Sequence, residues 1–160
     1  MNNTAEILAL AETVVKAWDW NTETTRPEPD RLDAYVSSLD NLVPIVVALR
    51  VKRLGHLSAI TGLDPGPDEP ELEILYHFTR AAAVITLRVR TARHSAHVPT
   101  LTEIIPGAEA FERELQEMFG IRVIGLRNPA RLYLPDDWPD ERYPLRKDDG
   151  QPTAESEQTA

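Results

Sequence analysis

The sequence predicts an α+β domain, a mainly antiparallel sheet with helices packed on it. Three observations predict it. Residues 71–79 and 83–89 alternate apolar and polar side chains with the period of a strand. Residues 41–54 and 106–119 carry apolar stripes at helical spacing. The chain has 160 residues, 42% of them hydrophobic and 27% charged, which suits a single domain. A chain of that size buries roughly two-thirds of its unfolded surface without needing a metal or a disulfide.

Taken in order, residues 4–18 read as a helix. Ile7, Leu8, Ala11, Val14, Val15 and Trp18 form its stripe, Asn3 caps it, and Glu6 stands at the capping-box position. Residues 21–30 (NTETTRPEPD) are polar with two prolines and read as a linker, so residues 1–30 form a helix and linker ahead of the core. The core spans 31–127. Its first strand is 31–36, with Leu32, Ala34 and Val36 on one side. Asp40 is placed to cap the helix over 41–54. Pro44 falls in its first turn, where a missing N–H costs nothing, and Gly55 stops it.

A strand follows at 56–62, then the turn DPGPDEP. In the next two strands Leu72, Ile74, Tyr76 and Phe78 share one face, as do Ala83, Ile85, Leu87 and Val89. Pro106 opens the second core helix, Gly120 closes it, and Ile121–Leu126 reads as a last strand. The order is strand, helix, three strands, helix, strand.

From Asn128 periodicity ends, but Leu132, Tyr133, Leu134, Trp138, Tyr143 and Leu145 follow. So many large apolar groups need burial, either on this domain or on another protein, and residues 128–149 read as an extended docking arm. Residues 150–160 are polar and read as a disordered tail.

Composition narrows function. Net charge is −9, which disfavours nucleic acid as a partner. The chain has no cysteine, so it holds no disulfide, thiolate zinc or cysteine-ligated cluster. There is no run of 18 apolar residues and no secretory leader pattern, so no direct membrane insertion is expected. No nucleophile elbow, phosphate loop or dinucleotide fingerprint occurs, and no catalytic, cofactor-binding or metal residue is assigned. His94 and His97 lack a third ligand; His56 and His77 read as surface or half-buried groups. Arg88 and Arg90 share a strand face, as a solvated face or as a patch for an acidic partner.

The richest segment is ERELQEMFGI, Glu112 to Ile121. Glu112 lines up with Ala108, Leu115 and Phe119 on the buried stripe. It reads as an ion-pair anchor for an arginine, with an acid or base of a small independent enzyme as the competing reading. Glu114 and Glu117 fall toward the polar side.

This segment resembles the E-R-E-x-x-D-hydrophobic-F-G-I signature of the 30 kDa subunit family of NADH-quinone oxidoreductase, the NADH dehydrogenase of respiratory complex I. LYLPDDW and YPLRKD resemble that family's L-L-P-D-D-W and H-P-L-R-K-D, and ITGLD followed by ELEILYHF is similar to its stretch leading into a Y-H-hydrophobic strand. The resemblance spans about residues 31–149. It makes Glu112, Arg113, Glu114, Glu117, Phe119 and Gly120 signature positions, with Glu117 in place of Asp. It makes Arg131, Tyr133, Trp138, Pro144, Leu145, Arg146, Lys147 and Asp148 partner-docking residues of the arm. The family's G-H-P appears as Gly125-Leu126-Arg127, and the first arginine of its R-R pair is Ala130.

The resemblance implies a non-catalytic peripheral-arm subunit, supporting electron transfer from NADH to quinone. It would brace the large quinone-site subunit beside other peripheral-arm subunits, on the cytoplasmic side of the cell membrane. NADH, flavin, iron–sulfur clusters and quinone then belong to partner subunits, not to this chain. Related subunits serve energy-converting nickel–iron hydrogenases and formate hydrogenlyases, which is the alternative host.

Overall fold

The structure is a computed structural model, described here for residues 3–148. The tail expected over 150–160 lies outside the described residues. The first helix, α1, is Thr4–Trp18, and the Asn3 side chain accepts from the Ala5 N–H as expected of its cap. The stretch read as a linker holds a three-residue strand, β1 (Glu23–Thr25). It pairs antiparallel with β2 (Arg31–Tyr35), so residues 23–25 close the sheet's edge rather than leaving the core free of its first helix.

Asp40 does not cap the next helix. The Ser38 hydroxyl caps a single 3₁₀ turn, Leu39–Asn41, and that turn runs into α2 (Leu42–Val51). Strands β3 (His56–Leu63), β4 (Glu71–Arg80) and β5 (Ala83–Ala92) follow. Beyond them come β6 (His97–Pro99), the helix α3 (Glu109–Phe119) entered through a 3₁₀ turn at Pro106–Ala108, and β7 (Arg122–Ile124).

The main sheet has the order β1-β2-β5-β4-β3. Only β2 and β5 run parallel within it; the other pairs are antiparallel. The last strand does not join this sheet. β7 pairs in parallel with β6, a strand not expected from sequence because three residues show no period.

One face of the sheet is apolar throughout. Leu32, Ala34, Ile74, Tyr76, Phe78, Ile85 and Leu87 are all fully buried there, and the register puts Ile74 opposite Val89, Tyr76 opposite Leu87 and Phe78 opposite Ile85. α1 covers this face over β2 and β5 and α2 packs beside it; Ile7, Leu8, Ala11, Val14 and Val15 of α1 are buried in the core. The N-terminal helix is therefore part of the core. Trp18, expected in the stripe, is 54% exposed because α1 ends there and turns away at Asp19. α3 covers β3 on the same face, with the Phe119 ring against Gly62. A Cβ at residue 62 would stand 2.5 Å from that ring, so only glycine lets α3 approach this closely.

The opposite face is polar and knitted by one cation. Arg88 donates from Nε and Nη2 to the two carboxylate oxygens of Glu73 (2.7 and 2.9 Å) and from Nη1 to Asp33 (3.1 Å). Its guanidinium lies 4.7 Å from the Tyr35 ring centre. The pairing with Glu73 raises its pKa further. Arg88 is thus a strut across β2, β5 and β4, whereas Arg90 is 63% exposed beside Glu71.

Candidate functional site: the signature helix and its clasped arm

The signature residues of α3 face two ways, and both directions lead to backbone. Glu112 is 1% exposed. Its Oε1 accepts from the Leu101 N–H and its Oε2 from the Thr100 hydroxyl, each at 2.6 Å. Thr100 in turn is shared with Thr102 at 2.8 Å. No arginine reaches it, which corrects the expected ion pair: the carboxyl ties α3 to the loop after β6 instead. Burial pushes its pKa up, and the two hydrogen bonds oppose that rise. At 1% exposure the group is sealed, not presented in a cleft as the independent-enzyme reading required.

Glu117 is also buried, at 8% exposure, which corrects its expected solvated position. Its carboxylate collects three successive amides of the arm. The Leu132 and Leu134 N–H groups donate to Oε1 at 2.9 and 2.8 Å, and the Tyr133 N–H to Oε2 at 2.9 Å. Acceptance of several backbone amides by one carboxylate is a strong, directional attachment. Arg113 completes it from one turn earlier, donating to the carbonyls of Ala130 and Arg131, each at 2.7 Å. Glu114 is half-buried on the helix between them.

Gly120 is required twice. It ends α3 in the left-handed conformation (φ 65°), with its N–H on the Gln116 carbonyl. The Tyr143 ring of the arm packs on the same spot: a Cβ at residue 120 would stand 2.5 Å from it.

The arm's far end is held by a second clamp that the sequence reading missed. Arg93 and Asp64, both at most 3% exposed, form a bidentate ion pair. Arg93 also donates to the carbonyls of Glu69 (2.8 Å) and Gly66. The guanidinium, with hydrogen bonds from the Gly66 and Lys147 amides, holds the Asp64 carboxyl well below the usual range, at about 2. The Lys147 N–H meets Asp64 Oδ2 at 2.9 Å, and Arg146 donates to the carbonyls of Phe119 (2.7 Å) and Arg93 (3.2 Å). Leu145 N–H meets the Met118 carbonyl at 3.1 Å, and Asp148 lies 3.6 Å from Arg93. The one signal for this clamp was Asp64 in ITGLD, an aspartate ahead of a Pro-Gly turn.

The arm therefore folds on its own domain. Arg131, one of the expected docking residues, organises the arm's loop, donating to the carbonyls of Pro135 and Asp136 and to Asp140 at 2.9 Å. Trp138 is half-buried, with its indole N–H on the Arg142 carbonyl at 3.0 Å. Pro144 is half-buried as well. Tyr133, 63% exposed, and Leu145, 51% exposed, project outward from the fastened backbone. His94 and His97 come to nothing as a pair: His94 sits in the 3₁₀ turn Arg93–Ser95 and His97 points its Nδ1 at the Ser95 carbonyl. No group of three metal-ligating side chains occurs among the described residues.

A helix whose charged residues fasten a C-terminal arm onto a two-layer α+β sheet defines the class of module to which this chain conforms. The chain belongs to the family of the respiratory-chain NADH dehydrogenase 30 kDa subunit, whose model matches residues 35–155. Among relatives, it is 38% identical over 112 residues to formate hydrogenlyase subunit 5 of Escherichia coli, covering 68% of this chain and 20% of that one. It is 40% identical over 99 residues to a subunit of NADH-quinone oxidoreductase from Roseiflexus sp., covering 60% of this chain and 55% of the relative. The chain thus spans about a fifth of the first relative and about half of the second. The fold is shared with a chain of the membrane-bound sulfane sulfur reductase, an archaeal respiratory membrane complex, at TM-score 0.73 and 24% identity over 88% of this chain and 84% of that one. It is shared also with the trypsin-resistant fragment of Nqo5, at TM-score 0.62 and 19% identity over 76% and 98%. No helix among the described residues is long and apolar enough to cross a membrane.

Proposed function

We propose that this chain is a non-catalytic subunit of a membrane-associated redox complex, where it braces the large subunit and supports electron transfer between donor and acceptor sites held elsewhere. The observation that carries this reading is the destination of the signature side chains. Glu112, Arg113 and Glu117 all bind backbone of the same chain, and so do the Asp64–Arg93 clamp and Arg146. Glu112 anchors α3 to the loop after β6, the others fix the arm's path, and the fixed arm holds Tyr133 and Leu145 outward. Side chains so projected from a rigid backbone suit docking to a partner at low entropic cost. NADH, flavin, iron–sulfur clusters and quinone would reside in partner subunits, and the chain would sit on the cytoplasmic face of the membrane through them.

Two hosts fit. One is a complex I-type NADH-quinone oxidoreductase. The other is a hydrogenase-type complex, favoured by the 38% identity to formate hydrogenlyase subunit 5 and the 34% identity to hydrogenase-4 component G. The test is purification of the tagged chain from native membranes with identification of co-purifying proteins. Recovery of a large subunit with cluster-bearing partners is expected, and nickel-ligating cysteines in that subunit would select the hydrogenase host. Recovery of the chain alone from intact membranes would overturn the subunit reading.

A further inference from the structure

One end of the molecule collects positive charge that no carboxylate among the described residues pairs with. Arg50, Lys52 and Arg53 close α2, His56 opens β3, and Arg80 stands at the β4–β5 turn. An open groove of about 630 Å³ is lined by Arg50, Arg53, His56 and Arg80, with Lys52 exposed next to it in the chain. Among the described residues none of Arg50, Lys52, Arg53 or Arg80 has a carboxylate within ion-pair distance, although the chain carries a net −9. The groove is also built. Arg80 Nη1 donates to the Arg53 carbonyl at 2.6 Å, tying the hairpin to the helix end. Arg53 adopts the left-handed conformation (φ 53°) at the helix terminus, where glycine is favoured, and Ala81 across the groove does so too (φ 51°).

We propose that this groove docks an acidic peptide segment of a partner subunit, a proposal that rests on the subunit reading above. Three guanidinium groups offer planar forks matched to carboxylates. A concave site between a helix end and a hairpin fits a chain segment better than a flat bilayer. A long nucleic acid would run from the groove into the field of an otherwise acidic protein. His56 and Asp64 bracket β3, so the groove and the arm's clamp stand roughly 25 Å apart on an eight-residue strand. The groove is therefore a second contact, independent of the arm.

The test uses two readouts on the full chain. In the first, a labelled deca-glutamate peptide is titrated against the wild type, against Arg50→Glu/Lys52→Glu, and against Arg122→Glu/Arg127→Glu. The last variant makes the same charge change at exposed positions elsewhere. Binding that weakens with salt, falls roughly tenfold in the first variant and much less in the second, is expected. Equal losses in both, or tighter association with phosphatidylglycerol vesicles than with the peptide, would overturn the proposal. In the second, a photo-cross-linking residue at position 50, which lines the groove, is irradiated in the purified host complex. Cross-links to an Asp/Glu-rich segment of a partner subunit are expected; cross-links to lipid alone, or none while the chain stays in the complex, would overturn it. If the wild-type chain enters no complex, the subunit reading fails and the peptide titration alone decides the groove.

Discussion

The core and the arm are held by opposite physics. Between sheet and helices, stability comes from apolar area: Leu8, Leu42, Ile45, Leu49, Tyr76, Phe78 and Leu87 lose nearly all exposure and make no specific bond that fixes their order. Along the arm, stability comes from side chains reaching backbone. Glu117 holds three amides, Arg113 two carbonyls, Arg146 two more, and Asp64 the amide of Lys147. Apolar burial tolerates substitution of similar shape but is cooperative across the domain. Carboxylate-to-amide attachment is exacting in geometry and local in consequence. A chain segment without periodicity of its own can therefore be given one fixed path without being built into the core.

The largest effect should come from the core. Phe78 is fully buried against Ile85 across the hairpin, and Phe78→Ala should cost about 3–5 kcal/mol. The loss should be global, read as a lowered unfolding midpoint in denaturant with an unchanged slope. Arm and core amides should lose hydrogen-exchange protection together.

Glu117→Gln should separate the two regions. The variant keeps one acceptor oxygen and turns the other into an NH₂ group facing the Tyr133 amide. Leaving an arm amide unsatisfied should cost about 1–3 kcal/mol. The cost should fall on the arm, as faster exchange at residues 132–134 and easier proteolysis there, while the amides of β4 and β5 stay protected. Simultaneous loss of core protection would show that arm and core are a single cooperative unit and would break the distinction.

The same difference governs what could be read from sequence. β4 and β5 are legible because their alternation runs for ten residues each and one face is fully buried. β1 and β6 are not: with three residues apiece they exist through ladder bonds to a neighbour, and Glu23–Thr25 carries no apolar side chain at all; β7 falls within the predicted 121–126, but its parallel partner β6 could not be foreseen. In the signature helix, the position of Glu112 on the apolar stripe correctly indicates burial, but nothing local indicates that a threonine hydroxyl and an amide, not an arginine, satisfy it. Glu117 lies about 140° further round the helix, on what an isolated helix would present to water. The arm returns fifteen residues later to cover that side, and only the folded chain reveals it. Asp64 and Arg93 are 29 residues apart and meet Lys147 across 83, a separation that no sequence period reports.

The smallest effect, and the sharpest contrast, concerns pH. Glu112 and Asp64 are both nearly sealed from water, yet their pKa values move in opposite directions. Asp64 is held down at about 2 by the Arg93 guanidinium, so its contribution is complete above its ordinary value of 3.8 and is lost as pH falls toward 2. Glu112 is pushed above its ordinary 4.5 by burial among neutral groups, so the folded chain keeps a proton that the unfolded chain has released. Its contribution is complete below 4.5 and declines as pH rises through the raised value. Glu112→Gln retains a carbonyl oxygen for the Leu101 amide and does not titrate. It should change stability by less than about 1 kcal/mol in mild acid, where the carboxyl is protonated. Above that range the variant should lack the Glu112 share of the wild type's downward slope and become the more stable of the two, while the acid limb set by Asp64, Glu12 and Asp19 remains in both. Denaturant titrations across pH measure both limbs. His77, its pKa lowered by burial, adds a rise of its own below 6.5, so the wild-type-minus-variant difference is what decides. A difference that rises with pH through that range would show that the Glu112 carboxylate is stabilised in the fold as an anion, and that the two carboxyls are held by the same means after all.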